Sequence, residues 1–189
     1  MARKLRDELE GGVHHVYARG NDGCDIYVDD VDRARYLTEL ARAVLLQGWR
    51  CLAYCLMSNH VHLLVETPSA NLGDGMRRLH GDYARGFNQR HDRRGHLFQG
   101  RFGSVLVRDD AQLWAAAAYV AVNPVEAGLC RRPEQWPWSS HAATVASARM
   151  APPPWLDVAR LLWHFGAAGG DPVQRYVTYV ADRLARPRA

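Results

Sequence analysis

The sequence predicts an α+β fold of the ferredoxin-like class, with an antiparallel sheet covered by helices on one face and a helical C-terminal extension. The predicted elements of residues 13–107 follow the order strand, helix, strand, strand, helix, strand, which is a split βαβ arrangement. A chain of 189 residues is long enough for one main domain with an appendage. A hydrophobic content of 48% and a charged content of 23% are ordinary for a soluble globular protein, so we expect a packed core and no membrane span.

The first strand and the first helix are marked by turn-forming and capping residues. Residues 13–19 alternate weakly between apolar and polar and lead into a turn-forming cluster at 20–23, which predicts a strand and a turn. Asp29 or Asp30 can cap a helix whose apolar residues follow helical spacing, and Gly48 is a suitable stop. The sequence therefore predicts a helix that begins at residue 30 and ends at residue 47.

Two strands, a second helix and a fourth strand complete the split βαβ pattern. Residues 49–56 and 61–66 read as strands joined by the short corner 57–59, which has hairpin length. Apolar residues recur at helical spacing from residue 71 to residue 90, although four glycines weaken this prediction. A basic loop follows, and residues 104–107 are predicted as the fourth strand.

A third helix and an extension follow the sheet. An alanine-rich helix is predicted over residues 110–122, and Asn123-Pro124 is expected to end it because a residue before proline avoids the α region. The proline-rich run 151–154 resembles a stiff linker, so we expect a main domain at 1–150 and a helical extension at 151–189. The two predicted helical segments of the extension are residues 156–165 and 172–184.

The N-terminal segment indicates the compartment. Residues 1–8 are charged and lack the apolar run of a signal peptide, so we expect the protein to stay in the cytoplasm. The four cysteines are then expected to be thiols, because they show neither CxxC spacing nor a second cluster.

The basic residues are almost all arginine. The net charge of +4 is only moderately basic, but Lys4 is the single lysine. Arginine favours bidentate phosphate contacts and stacking on bases, and here arginines alternate with aromatic residues, a pattern that suits a single-stranded nucleic acid. A solvated helix face is the competing interpretation. The candidate nucleic-acid-binding residues are Arg77, Arg78, Arg85, Arg90, Arg93, Arg94 and Arg101.

Two histidines on one strand are the strongest chemical signal. Side chains alternate across a strand, so His60 and His62 project from the same face. Parallel imidazoles on an otherwise apolar strand are costly to desolvate unless something binds them, and a divalent cation is a common occupant. We therefore predict a metal site at His60 and His62.

A tyrosine on the alanine-rich helix is the candidate nucleophile. Tyr119 is surrounded by alanines that leave its ring room to project, and Asn123 follows one helical turn later with an amide oxygen that can reach a cation. Tyr83 is the alternative, but it shares its helical stripe with Met76 and Leu79, which is typical of a core-facing residue.

These residues resemble the IS200-type tyrosine transposases, which carry an HUH (His-hydrophobic-His) motif, and in particular the transposases associated with repetitive extragenic palindromes (REPs). The resemblance spans residues 14–142. It rests on four segments in the family's order and spacing. They are YCLMSNHVH at 54–62, GRF at 100–102, YVAVNPV at 119–125 and WPWSS at 136–140.

The resemblance implies an activity, a cofactor and a partner. It implies that Tyr119 attacks single-stranded DNA, with His60, His62 and Asn123 holding Mg²⁺ or Mn²⁺, and that cleavage and strand transfer pass through a 5′-phosphotyrosine. The implied partner is single-stranded or hairpin DNA, with palindromic repeats as the expected targets. Whether the protein acts as a monomer or a homodimer stays open.

Two other functional classes are compatible with parts of the sequence. His60, His62 and Glu66 have the HxHxxxE spacing of cupin-like metal sites, although the predicted helices argue against a barrel of many strands. The split βαβ fold also serves RNA-binding domains, and a non-catalytic protein that binds hairpin DNA or RNA is the main alternative.

Overall fold

The computed structural model describes residues 9–166 and 169–186, and within them the chain forms four β-strands and six α-helices. Residues 1–8, on which the expectation about the signal peptide rests, lie outside the described residues. The strands are β1 (Gly12–Arg19), β2 (Arg50–Leu56), β3 (His60–Thr67) and β4 (Gly103–Val107). The α-helices are α1 (Asp30–Gln47), α2 (Leu72–Arg90), α3 (Asp110–Glu126), α4 (His141–Ala146), α5 (Val158–Gly166) and α6 (Pro172–Ala185).

The four strands form one antiparallel sheet in the order β2-β3-β1-β4. β1 lies between β3 and β4, and β2 pairs with β3 at the other edge. The two halves of the strand-helix-strand pattern therefore interlock, and the predicted ferredoxin-like α+β class is confirmed. β1 and β3 are the two central strands, and each has a hydrogen-bonded neighbour on both sides. Side chains on these two strands are therefore held firmly in place by the sheet.

Helix α1 begins and ends where the capping residues predict. The Asp29 side chain accepts hydrogen bonds from the backbone N–H groups of Val31 and Asp32, which satisfies donors that a helix start leaves open. Gly48 has a φ of 66° and caps the other end in the left-handed region. The boundaries agree with the predicted range 30–47.

Helices α1 and α2 pack together around a cluster of buried tyrosines. The rings of Tyr36 and Tyr83 lie 5.0 Å apart edge to face, and the Tyr83 hydroxyl donates to the carbonyl of Ile26. Tyr83 is fully buried, which confirms its predicted place in the core. Because its hydroxyl is buried and already donates a hydrogen bond, Tyr83 is poorly placed to act as a nucleophile.

Helix α3 extends beyond the predicted end. It continues through Asn123 and Pro124 to Glu126, so the prediction that Asn123-Pro124 ends the helix is wrong. A proline near the end of a helix removes one backbone hydrogen bond, and here both residues are buried against the protein, so packing outweighs the local preference. The consequence is that Tyr119 and Asn123 lie one regular helical turn apart.

Helices lie on both faces of the sheet. Val61, Leu63 and Val65 of β3 face the layer formed by α1 and α2, which is the helical layer that the sequence predicts. Helix α3 packs on the opposite face, together with α5 and α6. The extension therefore adds a second layer to the sheet, because its amphipathic helices bury their apolar sides there.

The C-terminal helices are joined to the main domain by aromatic stacking and a buried ion pair. Trp114 of α3 stacks on Phe165 of α5 with centroids 4.9 Å apart and an interplanar angle of 11°. The Arg160 guanidinium lies 2.7 Å from the buried carboxylate of Glu66. In the described part of the chain, no helix is long and apolar enough to cross a membrane.

Candidate active site

The candidate site lies on the sheet face that α3 covers. In the sheet register, His62 is directly opposite Tyr17 of β1, and directly opposite residues share a face. His15 is two residues from Tyr17 and therefore points the same way. The face thus carries His60 and His62 from β3 and His15 and Tyr17 from β1.

Tyr119 projects from α3 onto these side chains. Its ring lies edge to face against His62, with centroids 5.1 Å apart and an interplanar angle of 89°. The His15 ring lies 5.6 Å away at 64°. Tyr119 is only half-buried, so part of the residue is exposed to solvent. The structure therefore brings the predicted nucleophile and the predicted metal-binding histidines together.

Asn123 lies beside His60, as expected for two ligands of one cation. The His60 Nε2 and the Asn123 Oδ1 are 3.3 Å apart. The other ring nitrogen, Nδ1, lies 2.7 Å from Oδ1 of Asn59. The Asn59 amide is held in this orientation because its Nδ2 donates to the carbonyl of Gly23 at 3.0 Å.

These contacts favour one tautomer of His60. Both ring nitrogens face an amide oxygen, which can only accept, and neutral His60 carries one ring proton. The shorter contact and the anchored Asn59 amide favour Nδ1 as the nitrogen that donates. Nε2 is then left with a lone pair that faces the Asn123 oxygen, and two acceptors that face each other repel unless a donor or a cation lies between them. The donor set at this point fits a divalent cation.

Burial keeps the histidines neutral. Desolvation lowers the pKa of His60, and it lowers the pKa of His62 to about 3, with smaller contributions from the neighbouring His15 and His60. Desolvation also lowers the pKa of His15. Neutral imidazole is the form that binds a metal ion, so the site needs no proton loss near pH 7 before it can do so.

The amide of Asn123 is essential to the proposed donor set. Among the residues that the structure describes, no three side chains of His, Cys, Asp or Glu converge as a metal site. Two histidines alone are a weak site for Mg²⁺ or Mn²⁺, because these ions prefer oxygen ligands. The Asn123 oxygen provides such a ligand beside His60.

Two residues of the site were missed by the sequence analysis. The Nε2 of His15 lies 3.1 Å from Nδ1 of His62, and the Cζ of Arg183 in α6 lies 5.9 Å over the Tyr119 ring. His15 is two residues from Tyr17 and so shares its face of the strand. If the pairing of β1 with β3 had been assumed, this spacing would have predicted His15 near His62. No local sequence pattern predicts Arg183 at the site, because only the packing of α6 brings it over the Tyr119 ring.

The predicted nucleic-acid-binding arginines are all exposed, but they do not form one continuous cluster. Arg77 and Arg85 pair with aspartates three residues earlier on α2, at 3.4 and 3.2 Å. Arg93 lies over the Phe87 ring at 5.7 Å. Arg78 lines a small cavity between α1 and α2, whereas Arg94 lies in the exposed loop after α2.

Arg90 is engaged in an internal network. Its guanidinium lies 2.6 Å from the Asp29 carboxylate and 2.6 Å from the buried carboxylate of Asp32. The ring of His91 also contacts Asp32, at 2.9 Å. These contacts tie the end of α2 to the start of α1, so Arg90 already has a structural role.

Arg77 and Arg101 line a cavity of about 610 Å³ between α2 and the segment before β4. A second cavity of about 470 Å³ adjoins it, and both contain Arg101 and the ring of His80. The segment is tied to the end of the sheet that carries His60, because the Gln99 N–H donates to the carbonyl of Arg19, which is opposite His60.

The cupin-like alternative does not fit the architecture. Glu66 is on the histidine face but its carboxylate contacts Arg160 and Arg50, at 2.7 and 3.5 Å, instead of a histidine. Glu66 also lies on a four-stranded sheet that is open, with β2 and β4 at its edges, and is therefore not part of a barrel.

Three comparisons with known proteins find similarity to transposases. The sequence model of the family "Transposase IS200 like" matches residues 25–123. A relative from Haemophilus influenzae, named as a REP-associated tyrosine transposase, is 27% identical over 170 residues, which cover 82% of this chain and 93% of the relative.

The fold is also similar to a solved structure. The structure of a REP-associated tyrosine transposase bound to a REP hairpin superposes with a TM-score of 0.67 at 16% identity, over 79% of this chain and 88% of the other. This likeness concerns the fold. The match to the family's sequence model, over residues 25–123, covers more than half of the 189 residues. The chain therefore belongs to the family of IS200-like transposases.

Proposed function

We propose that the protein cleaves and rejoins single-stranded DNA at palindromic hairpins, with Tyr119 as the nucleophile. The observation that carries this proposal is the contact of the Tyr119 ring with His62, next to the facing acceptors of His60 and Asn123. The family membership supports the reaction class, and the similar solved structure, which is bound to a REP hairpin, supports hairpin DNA as the partner. We propose the cytoplasm as the site of action.

The reaction is a transesterification. The Tyr119 hydroxyl oxygen forms a bond to the scissile phosphorus, and the bond from phosphorus to the 3′ oxygen of the preceding nucleotide breaks. The tyrosine proton leaves, and the departing 3′ oxygen takes up a proton. The product is a 5′-phosphotyrosine and a free 3′ hydroxyl, and a second 3′ hydroxyl can reverse the step and join different ends.

Three side chains would hold the cation that the family implies. Nε2 of His60, Oδ1 of Asn123 and a ring nitrogen of His62 are suited to Mg²⁺ or Mn²⁺. The bound ion would supply Lewis-acid stabilisation of the charge that develops on the phosphate. His62 also packs against the Tyr119 ring, so the same residue orients the nucleophile.

Arg183 offers a cation on the other side of the nucleophile. Its guanidinium lies over the Tyr119 ring and contacts Glu126 at 3.4 Å, so α6 holds it near the position where a phosphate would join the tyrosine. A guanidinium has five donors in a planar fork, which matches phosphate oxygens. The C-terminal extension would thus contribute to DNA cleavage as well as to packing.

The test is formation of a covalent adduct with a single-stranded hairpin oligonucleotide in Mn²⁺ or Mg²⁺, followed by denaturing electrophoresis. We expect an adduct with the wild type, none with Tyr119→Phe, and retention with Tyr17→Phe. Tyr17 is the matched control because it is 45% exposed and its ring lies 6.4 Å from His62. Hairpin binding without an adduct in the wild type would favour the non-catalytic alternative.

A further inference from the structure

His15 is close to the candidate metal site but has no role in the proposed reaction. Its Nε2 lies 3.1 Å from Nδ1 of His62, and the two rings have centroids 5.2 Å apart. The contact is possible because β1 pairs with β3 in a register that puts both side chains on the same face. His14, the next residue on β1, points to the opposite face and is buried.

The hydrogen bond between two neutral imidazoles has a direction that matters for metal binding. If His15 donates to Nδ1 of His62, then Nε2 of His62 carries the ring proton and cannot bind a cation. If His62 donates from Nδ1 to His15, then Nε2 of His62 has a free lone pair. Only the second arrangement is compatible with His62 as a ligand through Nε2.

The neighbouring ligand shows the same arrangement. His60 donates from Nδ1 to Oδ1 of Asn59, whose orientation is fixed by its own bond to Gly23. Metal-binding histidines in proteins commonly donate their second ring N–H to an acceptor, which fixes both the ring orientation and the tautomer. Asn59 serves His60 in this way, and His15 occupies the corresponding position beside His62.

We infer that His15 is a positioning residue that accepts the Nδ1 proton of His62 and thereby holds its Nε2 ready for the divalent cation. The inference rests on the proposed metal site. His15 itself is not assigned as a ligand, since His15, His60 and His62 do not converge on one point among the residues described. Its effect on the cation passes through the ring of His62.

The first measurement tests the tautomer without any metal. Long-range ¹H–¹⁵N spectra of the apo protein, selectively labelled at histidine and held at pH 7.5, report which ring nitrogen is protonated. We expect the Nδ1–H form of His62 in the wild type and a shift toward the Nε2–H form in His15→Ala. A wild-type His62 protonated at Nε2 would overturn the inference whatever the protein does to DNA.

The second measurement is the affinity for Mn²⁺ alone, from the electron paramagnetic resonance signal of the free ion. We expect binding to weaken by about 10–100-fold in His15→Ala, because loss of an outer hydrogen-bond partner typically has this effect. His15→Gln should restore most of the affinity, since its amide oxygen can reach the same position and accept the proton. The matched control is His14→Gln, which should leave Mn²⁺ binding unchanged.

The outcomes separate this inference from the proposed function. Unchanged Mn²⁺ affinity in a folded His15→Ala variant, checked by circular dichroism, would refute the positioning role while the proposed cleavage stands. Loss of affinity in His15→Gln as severe as in His15→Ala would also refute it, because that result would indicate a direct ligand. A wild type that forms no adduct refutes the proposed function, whereas the tautomer of His62 still decides the role of His15.

Discussion

At the scale of single residues, the candidate metal site depends on two acceptor atoms that face each other, Nε2 of His60 and Oδ1 of Asn123. Nε2 of His60 faces an oxygen, and its other nitrogen is already engaged by Asn59. With the ring proton on Nδ1, Nε2 of His60 and Oδ1 of Asn123 are two acceptors that the fold keeps 3.3 Å apart. Such a pair is unfavourable in a core and useful in a cation site, because the bound ion removes the repulsion.

Asn123 should determine the metal requirement. We expect Asn123→Ala to raise the Mn²⁺ concentration for half-maximal adduct formation by about tenfold or more, because an oxygen ligand is lost. Asn123→Asp keeps an oxygen at the same position and should retain most of the response. The measurement is adduct yield across a Mn²⁺ titration, and an unchanged midpoint in the alanine variant would remove Asn123 from the metal site.

Arg183 should affect the reaction more than the stability of the fold. We expect Arg183→Gln to slow adduct formation by about tenfold or more, because a cation beside the reacting phosphate is lost. Arg175→Gln is the matched control on the same helix, since Arg175 lies 5.4 Å over the Trp114 ring, away from Tyr119. Equal rates for the two variants under single-turnover conditions would show that Arg183 has only a packing role.

The sequence points to the candidate ligands more readily than to the residues that contact them. The alternation of His60 and His62, and the one-turn spacing of Tyr119 and Asn123, are local patterns that a strand and a helix convert directly into shared faces. The role of His15 depends on the pairing of two strands about 45 residues apart in the sequence, and such a register is not encoded in either strand alone.

At the scale of elements, α2 is joined to the rest of the fold by a partly buried histidine. The His80 Nε2 lies 3.2 Å from the Tyr36 hydroxyl of α1, and its ring stacks on Phe98 with centroids 4.2 Å apart. Burial lowers the pKa of His80 to about 3. The folded protein thus holds this imidazole neutral across a pH range in which the unfolded chain would protonate it.

His80 should make the protein less stable in acid. Between about pH 6.5 and pH 3 the unfolded state binds a proton that the folded state does not, so the unfolding free energy falls as the pH falls across this window. At pH 5 the expected loss from this one histidine is about 2 kcal/mol. Urea unfolding of the wild type and His80→Gln at pH 7.5 and 5.0 tests this, and equal losses in both proteins would contradict it.

The elements themselves were largely predictable. Helix α1 has a capping aspartate and a C-terminal glycine, and these local signals give its boundaries correctly. Helix α3 was predicted too short because the rule for a residue before proline is local, whereas the burial of Asn123 and Pro124 is tertiary. Because the helix continues, the nucleophile and the third candidate ligand are carried by one rigid element.

At the scale of the whole molecule, the C-terminal extension is part of the packed structure. The apolar residues of α5 cover β2, and α6 packs along α3 up to the candidate site. The proposed division at residue 150 therefore marks a change in the sequence pattern. Of the helices beyond it, α5 contacts the sheet and α6 packs on α3 and α5. Composition could indicate a linker, but it could not indicate the surface on which the helices dock.

The ion pair between Glu66 and Arg160 should stabilise this arrangement. We expect Arg160→Met to lower the unfolding free energy by about 2 kcal/mol, because the buried Glu66 carboxylate loses its closest partner and keeps only the longer contact with Arg50. Arg85→Met is the control, since an exposed pair with Asp82 contributes less than about 1 kcal/mol. Equal effects in urea unfolding would show that the pair does not hold the extension.

The assignment of Tyr119 is tested by identifying the tyrosine that becomes linked to DNA. Trypsin separates the three relevant tyrosines, because Tyr17, Tyr83 and Tyr119 fall in the peptides 7–19, 79–85 and 109–131. After incubation with hairpin DNA and Mn²⁺, nuclease trimming and mass spectrometry, we predict a nucleotide attached to peptide 109–131. A nucleotide on either of the other two peptides would contradict the assignment of Tyr119.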